Sequence, residues 1–179
     1  NGEVIEGDPI RRFAELLDEG KIGIAKSWGG MHICATIDRL QELRDWYGRK
    51  QKPFAIMVRD VETVLKYSEP TEHELRQITS PHRPIVLVRK KKTMPEASSP
   101  GLDTVGMFLP YTGMHHLLFD HLRSDAAVMT SANVPGEPMI LNDEDIFELN
   151  ADMYLLHNQR IQNRGLEIQR RACWKRGRA

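Results

Sequence analysis

The chain has 179 residues, 25 basic against 25 acidic, and a formal net charge of zero, so a globally basic nucleic-acid binder is not indicated. Hydrophobic residues make up 40% and charged residues 28%, which fits one globular domain with a sizeable core. The two cysteines, Cys34 and Cys173, are far apart and form no CxxC pair. That argues against a disulfide framework or zinc knuckle and fits a reducing, cytoplasmic setting. No apolar run approaches the ~18 residues of a membrane span, and no signal peptide opens the chain, so no membrane partner is expected. The first residue is Asn rather than Met, from which we expect a piece of a larger multidomain parent.

Residues 8–20 read as a helix with Asp8 as N-cap, Pro9 in the first turn and Gly20 as the stop. Ile10, Phe13, Leu16 and Leu17 share one face. "KIGIAKS" is a short buried strand, and "WGGMHI" brings two glycines to a tight turn or a close approach. Residues 38–48 form a second helix with Leu40, Leu43 and Tyr47 on one side. "RKQKP" is a basic connection and "FAIMV" a strand. Asp60 caps a helix through "VETVLKY". Thr71 and Glu74 have the capping-box spacing and open another, ending near Ile78. "PIVLV" lacks polar alternation, which predicts that both its faces are covered. Residues 93–103, with Pro, Ser and Gly, read as a mobile loop. Then follow the strand "TVGMFLP", the helix "GMHHLLFDHLR", the strand "AAVMT", a turn at Pro135 and Gly136, the capped helix "NDEDIFEL" and the last strand "ADMYLLH". Helices and short apolar strands alternate throughout, which predicts a layered α/β domain (α+β in some schemes) with helices on a central sheet. We place this domain at 1–164 and a loosely held basic tail at 165–179.

Polar and basic groups recur at strand ends, where open α/β sheets place their ligands. Lys26 follows "IGIA", Arg49, Lys50 and Lys52 precede "FAIMV", Arg83 precedes "PIVLV", and Thr130, Ser131 and Asn133 follow "AAVM". Lysines and arginines gathered there neutralise a polyphosphate, and small hydroxyls with an amide bind its oxygens. Each group alone also fits a solvated strand end or an Asx-type turn. Neither GxGxxG nor the phosphate loop GxxxxGK followed by Ser or Thr occurs, so neither familiar nucleotide fold is indicated. The seven histidines show no metal-ligand spacing. His115 and His116 are adjacent, about 100° apart on a helix, and one of them is expected to pack under a loop.

Several stretches together carry a resemblance: "GKIGIAKSWGGMHI", "KPFAIMV", "SPHRPIVLV", "PGLDTVGMFLPYTGMHHLLF", "VMTSANVPGEP" and "ADMYLLHNQRIQNR", in order over most of 20–164. The chain resembles the YrdC-like domain, in the version found within HypF, the carbamoyltransferase of nickel–iron hydrogenase maturation. "GMFLPYTGMHHLLF" points to that branch rather than to free-standing threonylcarbamoyl-AMP synthases. The resemblance implies a twisted mixed sheet flanked by helices and an adenylate-forming activity. ATP and Mg2+ would be the cofactors, carbamate or bicarbonate the co-substrate, and carbamoyl adenylate the product. Threonylcarbamoyl-AMP synthesis for tRNA modification is an alternative. So is a degenerate domain that binds nucleotide or RNA, double-stranded RNA or tRNA, through 49–52, 89–92 and the tail. Carried over by matching positions, Ser131 and Asn133 fall on the family's Ser-x-Asn motif, Lys26 on the lysine opening the Gly-rich turn, Arg49 on the arginine of Lys-x-Arg and Lys52 on the lysine before proline. The lysine of Lys-x-Arg is Tyr47 here, with Lys50 as the nearest replacement cation.

Overall fold

The computed structural model describes residues 6–28, 30–133 and 145–158, together with Val4, Ile140 and Asp143. The first helix, α1 (Pro9–Asp18), starts where the sequence predicts. Asp8 Oδ1 accepts from the backbone N–H groups of Ile10 and Arg11, and Pro9 sits where no donor is needed. β1 (Gly23–Ser27) and β2 (Gly30–Thr36) form an antiparallel hairpin closed at Ser27 and Gly30. Gly30 has φ 141°, a value that favours glycine. Next come α2 (Leu40–Tyr47), stopped by left-handed Gly48, then β3 (Ala55–Val58) and α3 (Val61–Tyr67), capped by Asp60. β4 (Ser68–Glu69) leads to α4 (Glu72–Thr79), where Thr71 and Glu74 form the expected capping box. The chain continues through β5 (Val86–Lys90), β6 (Thr104–Phe108), α5 (Gly113–His121), β7 (Ala126–Ser131) and β8 (Met153–Leu155).

The strands make one eight-stranded mixed sheet in the order β4-β5-β6-β3-β7-β2-β1-β8. The pairs β1–β8 and β3–β6 are parallel and the others antiparallel. One face carries Ile24, Met31, Ile33, Ile56, Val88, Val105 and Met107 against α2, α3 and α4. The other carries Ala25, Cys34, Met57, Phe108 and Met129 against α1 and α5. Full burial of such an aliphatic side chain stabilises the fold by roughly 1.5–3 kcal/mol. Burying Cys34 pushes its thiol up to about 12, so it serves as a small apolar core residue.

Five expectations need correction. The stretch after the two glycines is a complete, fully buried strand, β2, rather than only a turn. A two-residue strand, β4, follows α3 directly. Residues 93–103 are tied down: Ser98 and Ser99 are buried, the Ser98 carbonyl accepts from Phe54 N–H at 2.9 Å, and Lys90 Nζ reaches Glu96 at 2.6 Å. "PIVLV" is covered on one face only, with Ile85 52% and Leu87 65% exposed. The reason is layer geometry, since α1 and α5 cover their face of the sheet no further than Phe108 on β6. Beyond it Ile85 lies over Gly106, where an added Cβ would sit 3.0 Å from the Ile85 methyl. The helix expected over "NDEDIFEL" is a short 3-10 turn, Asp145–Leu149, in its described part. The turn at Pro135 and Gly136 and the basic tail 165–179 lie outside the described residues.

Candidate functional site

The strand pairing brings four chain ends to one end of the sheet. They are the C-terminal ends of β1 and β7, the start of β2, and the segment entering β3. Lys26, Arg49, Lys50, Lys52, Thr130, Ser131 and Asn133 all belong to this end. Arg83 does not, because β5 runs antiparallel to β6 and its entry lies at the opposite end.

The basic segment 48–53 is held from beneath by Arg44, a buried cation on α2. Its guanidinium donates to the carbonyls of Ala97 (2.6 Å), Arg49 (2.7 Å), Lys52 (3.0 Å) and Ser98 (3.2 Å). The Phe54 ring lies 4.4 Å below it. One side chain thereby fixes two loops, and on the basic one Lys50 and Lys52 both stay exposed. Among the described residues Lys50 has no hydrogen-bond or ion-pair partner. Partial burial, and then the nearby positive charge of Arg49, lower the Lys52 ammonium below its ordinary value.

Tyr47, which stands where a lysine would be, answers structurally. It is buried on α2, and its hydroxyl lies 2.7 Å from the Asn133 carbonyl, 2.9 Å from Asn133 Oδ1 and 3.3 Å from the Ser131 carbonyl. A phenol has one proton, so it donates to one of these at a time. Burial, the largest cause, raises its pKa above the ordinary tyrosine value, which keeps the donor proton in place. The Arg49 guanidinium lies 4.3 Å over the Tyr47 ring and donates to Asn133 Oδ1 at 3.1 Å. The end of α2 and the end of β7 are thus joined through Asn133. Lys50 does not take the missing lysine's place among these contacts.

On β7, Thr130 is half-buried beside Ile33 and Ser131 is exposed beside His32. Lys26 is 5% exposed, and its ammonium is engaged by the Asp143 carboxylate at 2.7 and 3.0 Å and by the His157 carbonyl at 3.0 Å. Its charge is therefore neutralised where it stands, whereas among the described residues Arg49 and Lys52 pair with no carboxylate.

The opposite face of the same sheet end holds a polar niche. His32 is buried with Nδ1 3.4 Å from Ser27 Oγ, and its ring lies 6.2 Å from that of His115. His115, on the first turn of α5, is 0% exposed, and the Tyr111 ring stands edge-on to it at 4.5 Å. Burial, the largest cause, raises the Tyr111 phenol above its ordinary value, with the nearby Ser27 hydroxyl acting against it. Among the described residues neither ring nitrogen of His115 has a hydrogen-bond partner. Burial pushes His32 down to about 4 and His115 down to about 3, so both imidazoles are neutral near pH 7. The packing of His115 agrees with expectation, its lid being Tyr111. Sequence reasoning passed over Arg44, Ser27, His32 and Tyr111 as site residues. Each acts through contacts distant in the chain, and none carries a local signal. Among the described residues no three His, Cys, Asp or Glu side chains form a metal-holding group. No helix among them is long and apolar enough to cross a membrane.

The model of the Sua5/YciO/YrdC family, described as "Telomere recombination", matches residues 15–166. The probable carbamoyltransferase HypF of Methanocaldococcus jannaschii is 42% identical over 166 residues, 88% of this chain and 21% of that protein. The crystal structure of T. kodakarensis HypF superposes with a TM-score of 0.86 at 44% identity, covering 92% of this chain and 23% of that one. A full-length HypF in a phosphate- and nucleotide-bound form gives 0.81 at 39% identity, covering 88% and 26%. P. abyssi Sua5 complexed with L-threonine gives 0.73 over 86% of this chain and 48% of that one. At 20% identity it supports the shared fold alone. The chain spans about a fifth of the length of the curated relatives it matches.

Proposed function

The chain belongs to the Sua5/YciO/YrdC family as a YrdC-like domain of the HypF type, and on that premise we propose that it binds ATP at this sheet end and forms carbamoyl adenylate. The observation that carries the reading is the contact of Arg49 with Asn133 at 3.1 Å. It joins the basic loop to the Ser-x-Asn strand end, so cations and small polar donors face one space. Arg49 and Lys52 neutralise the phosphates, Lys50 adds charge from the rim, and Thr130, Ser131 and Asn133 line the nucleotide. Lys26 contributes once phosphate replaces Asp143 as its partner. A solved HypF relative with bound phosphate and nucleotide supports the same reading.

The reaction asks little covalent chemistry of the protein. A carboxylate oxygen of carbamate forms a bond to the α-phosphorus, the bond from that phosphorus to the bridging oxygen breaks, and pyrophosphate leaves with the electron pair. No proton is exchanged in the step, so alignment and charge neutralisation carry the catalysis. Mg2+ fits as an ion held on the triphosphate and by water, because it needs few protein ligands. When bound it would offset phosphate charge.

The test is exchange of labelled pyrophosphate into ATP by the 179-residue chain, with ammonium bicarbonate, bicarbonate alone, or bicarbonate plus threonine. We expect exchange with ammonium bicarbonate that does not need threonine. Exchange only with threonine would make it a threonylcarbamoyl-AMP synthase. ATP binding without exchange would leave a non-catalytic nucleotide or RNA domain.

A further inference from the structure

Cells of the sheet that face the nucleotide account for Ser131 and Asn133, but not for the niche behind them. Residues directly opposite on neighbouring strands project to the same face. His32 is paired with Ser131 across β2–β7 and with Ala25 across β1–β2, and Ser27 lies two residues beyond Ala25. Ser27, His32 and Ser131 therefore share one face of the sheet at this end, and His115 meets His32 there from α5. Burying an imidazole with both nitrogens unpartnered is unfavourable, and a leucine would fill the same space without that cost. A purely structural role leaves this cost uncompensated. Tyr111, 38% exposed, is the member solvent reaches, and its ring rests on His115.

We propose that Ser27, His32, Tyr111 and His115 form the acyl subsite, receiving unsubstituted carbamate and turning its carboxylate toward the α-phosphorus beside Ser131. The inference rests on the adenylate-forming reading and assigns the second substrate to named residues. The chemistry matches group by group. Carbamate offers two N–H donors and a carboxylate acceptor. A neutral imidazole offers one acceptor and one donor, and the hydroxyls of Ser27 and Tyr111 offer both. Thr112 caps α5 by accepting from His115 N–H at 3.3 Å, so the positive end of the helix lies next to the niche and favours an anion. With no cation among these four groups, carbamate is not locked into an ion pair before it attacks. The rings stand in contact, at 4.5 and 6.2 Å, so a one-carbon acid would enter among them more readily than a substituted one such as threonine-carbamate.

The test uses the 179-residue chain with ring-labelled histidine and a non-hydrolysable ATP analogue. Ammonium bicarbonate, which equilibrates with carbamate, is titrated while the His32 and His115 ring nitrogens are followed by NMR. Sodium bicarbonate and ammonium chloride are the separate controls. Saturable shifts of both rings are expected only when ammonium and bicarbonate are present together. His115→Asn and Tyr111→Phe should each raise the half-saturating concentration about tenfold, equivalent to about 1.4 kcal/mol, with ATP-analogue affinity within about twofold. Tyr111→Phe keeps the ring and serves if His115→Asn does not fold. The inference is overturned if the analogue binds and neither ring responds, if bicarbonate alone gives the same shifts, or if both variants titrate like the wild type. Failure to bind the analogue at all would instead remove the nucleotide reading, and this inference with it.

Discussion

The two margins of the sheet contrast sharply. At the end where β1 and β7 finish, polar and charged groups are buried: Arg44, Lys26, His32 and His115 are each 9% exposed or less. At the β4–β5 margin, the apolar Ile85 and Leu87 are more than half exposed. Hydrophobicity alone would predict the reverse. Burial here follows the layers, and at the polar end Arg44 and Lys26 are compensated by the loop carbonyls and the carboxylate they hold. The β5 outer face, without a covering helix, has no such constraint.

Acid should separate the two margins most strongly. His32 and His115 have folded values near 4 and 3, against about 6.5 in the unfolded chain. Between pH 6.5 and 4 the unfolded state therefore binds more protons, so stability is present above the unfolded value and is lost as pH falls below it. The two histidines together should lower stability by about 4 kcal/mol at pH 5 relative to pH 7. Urea denaturation at the two pH values checks this, and His115→Asn should remove about half the difference. Arg44→Ala comes next. It removes the donor to four backbone carbonyls, and about 3 kcal/mol of stability should go with it, together with ATP binding. Tyr47→Phe keeps the ring and removes one hydroxyl. It should cost about 1 kcal/mol in denaturation and weaken ATP a few-fold, through a looser Asn133. Leu87→Ser should change stability by no more than about 0.5 kcal/mol. A larger loss would show that the β5 margin is packed after all.

What the sequence revealed follows the range of the interactions concerned. Asp8 with Pro9, Asp60, and Thr71 with Glu74 act within one turn, so helix starts were legible. The positions of Lys26, Arg49, Lys52, Thr130, Ser131 and Asn133 at strand ends were legible too, once the alternation of elements was clear. That they share an end, and that Arg83 does not, required the strand order. β2 was missed because a strand buried on both faces shows no alternation, and two glycines before it suggest only a turn. The anchored loop 93–103 was not legible, because Arg44 holds it from some 53 residues away in the chain. Tyr47 looked like the loss of a cation. The structure shows a brace instead, visible only once Asn133 is beside it. The histidine niche joins β1, β2 and α5, and no spacing in the chain announces it.

The central claim is that Arg49 and Asn133 act together on one nucleotide. A calorimetric titration of ATP onto the wild type, Arg49→Ala, Asn133→Ala and the double variant tests it most directly. We expect saturable wild-type binding, weakened about tenfold by either substitution, and a double variant weakened by much less than the product of the two single effects. Wild-type binding untouched by both substitutions, or no binding at all, would contradict it.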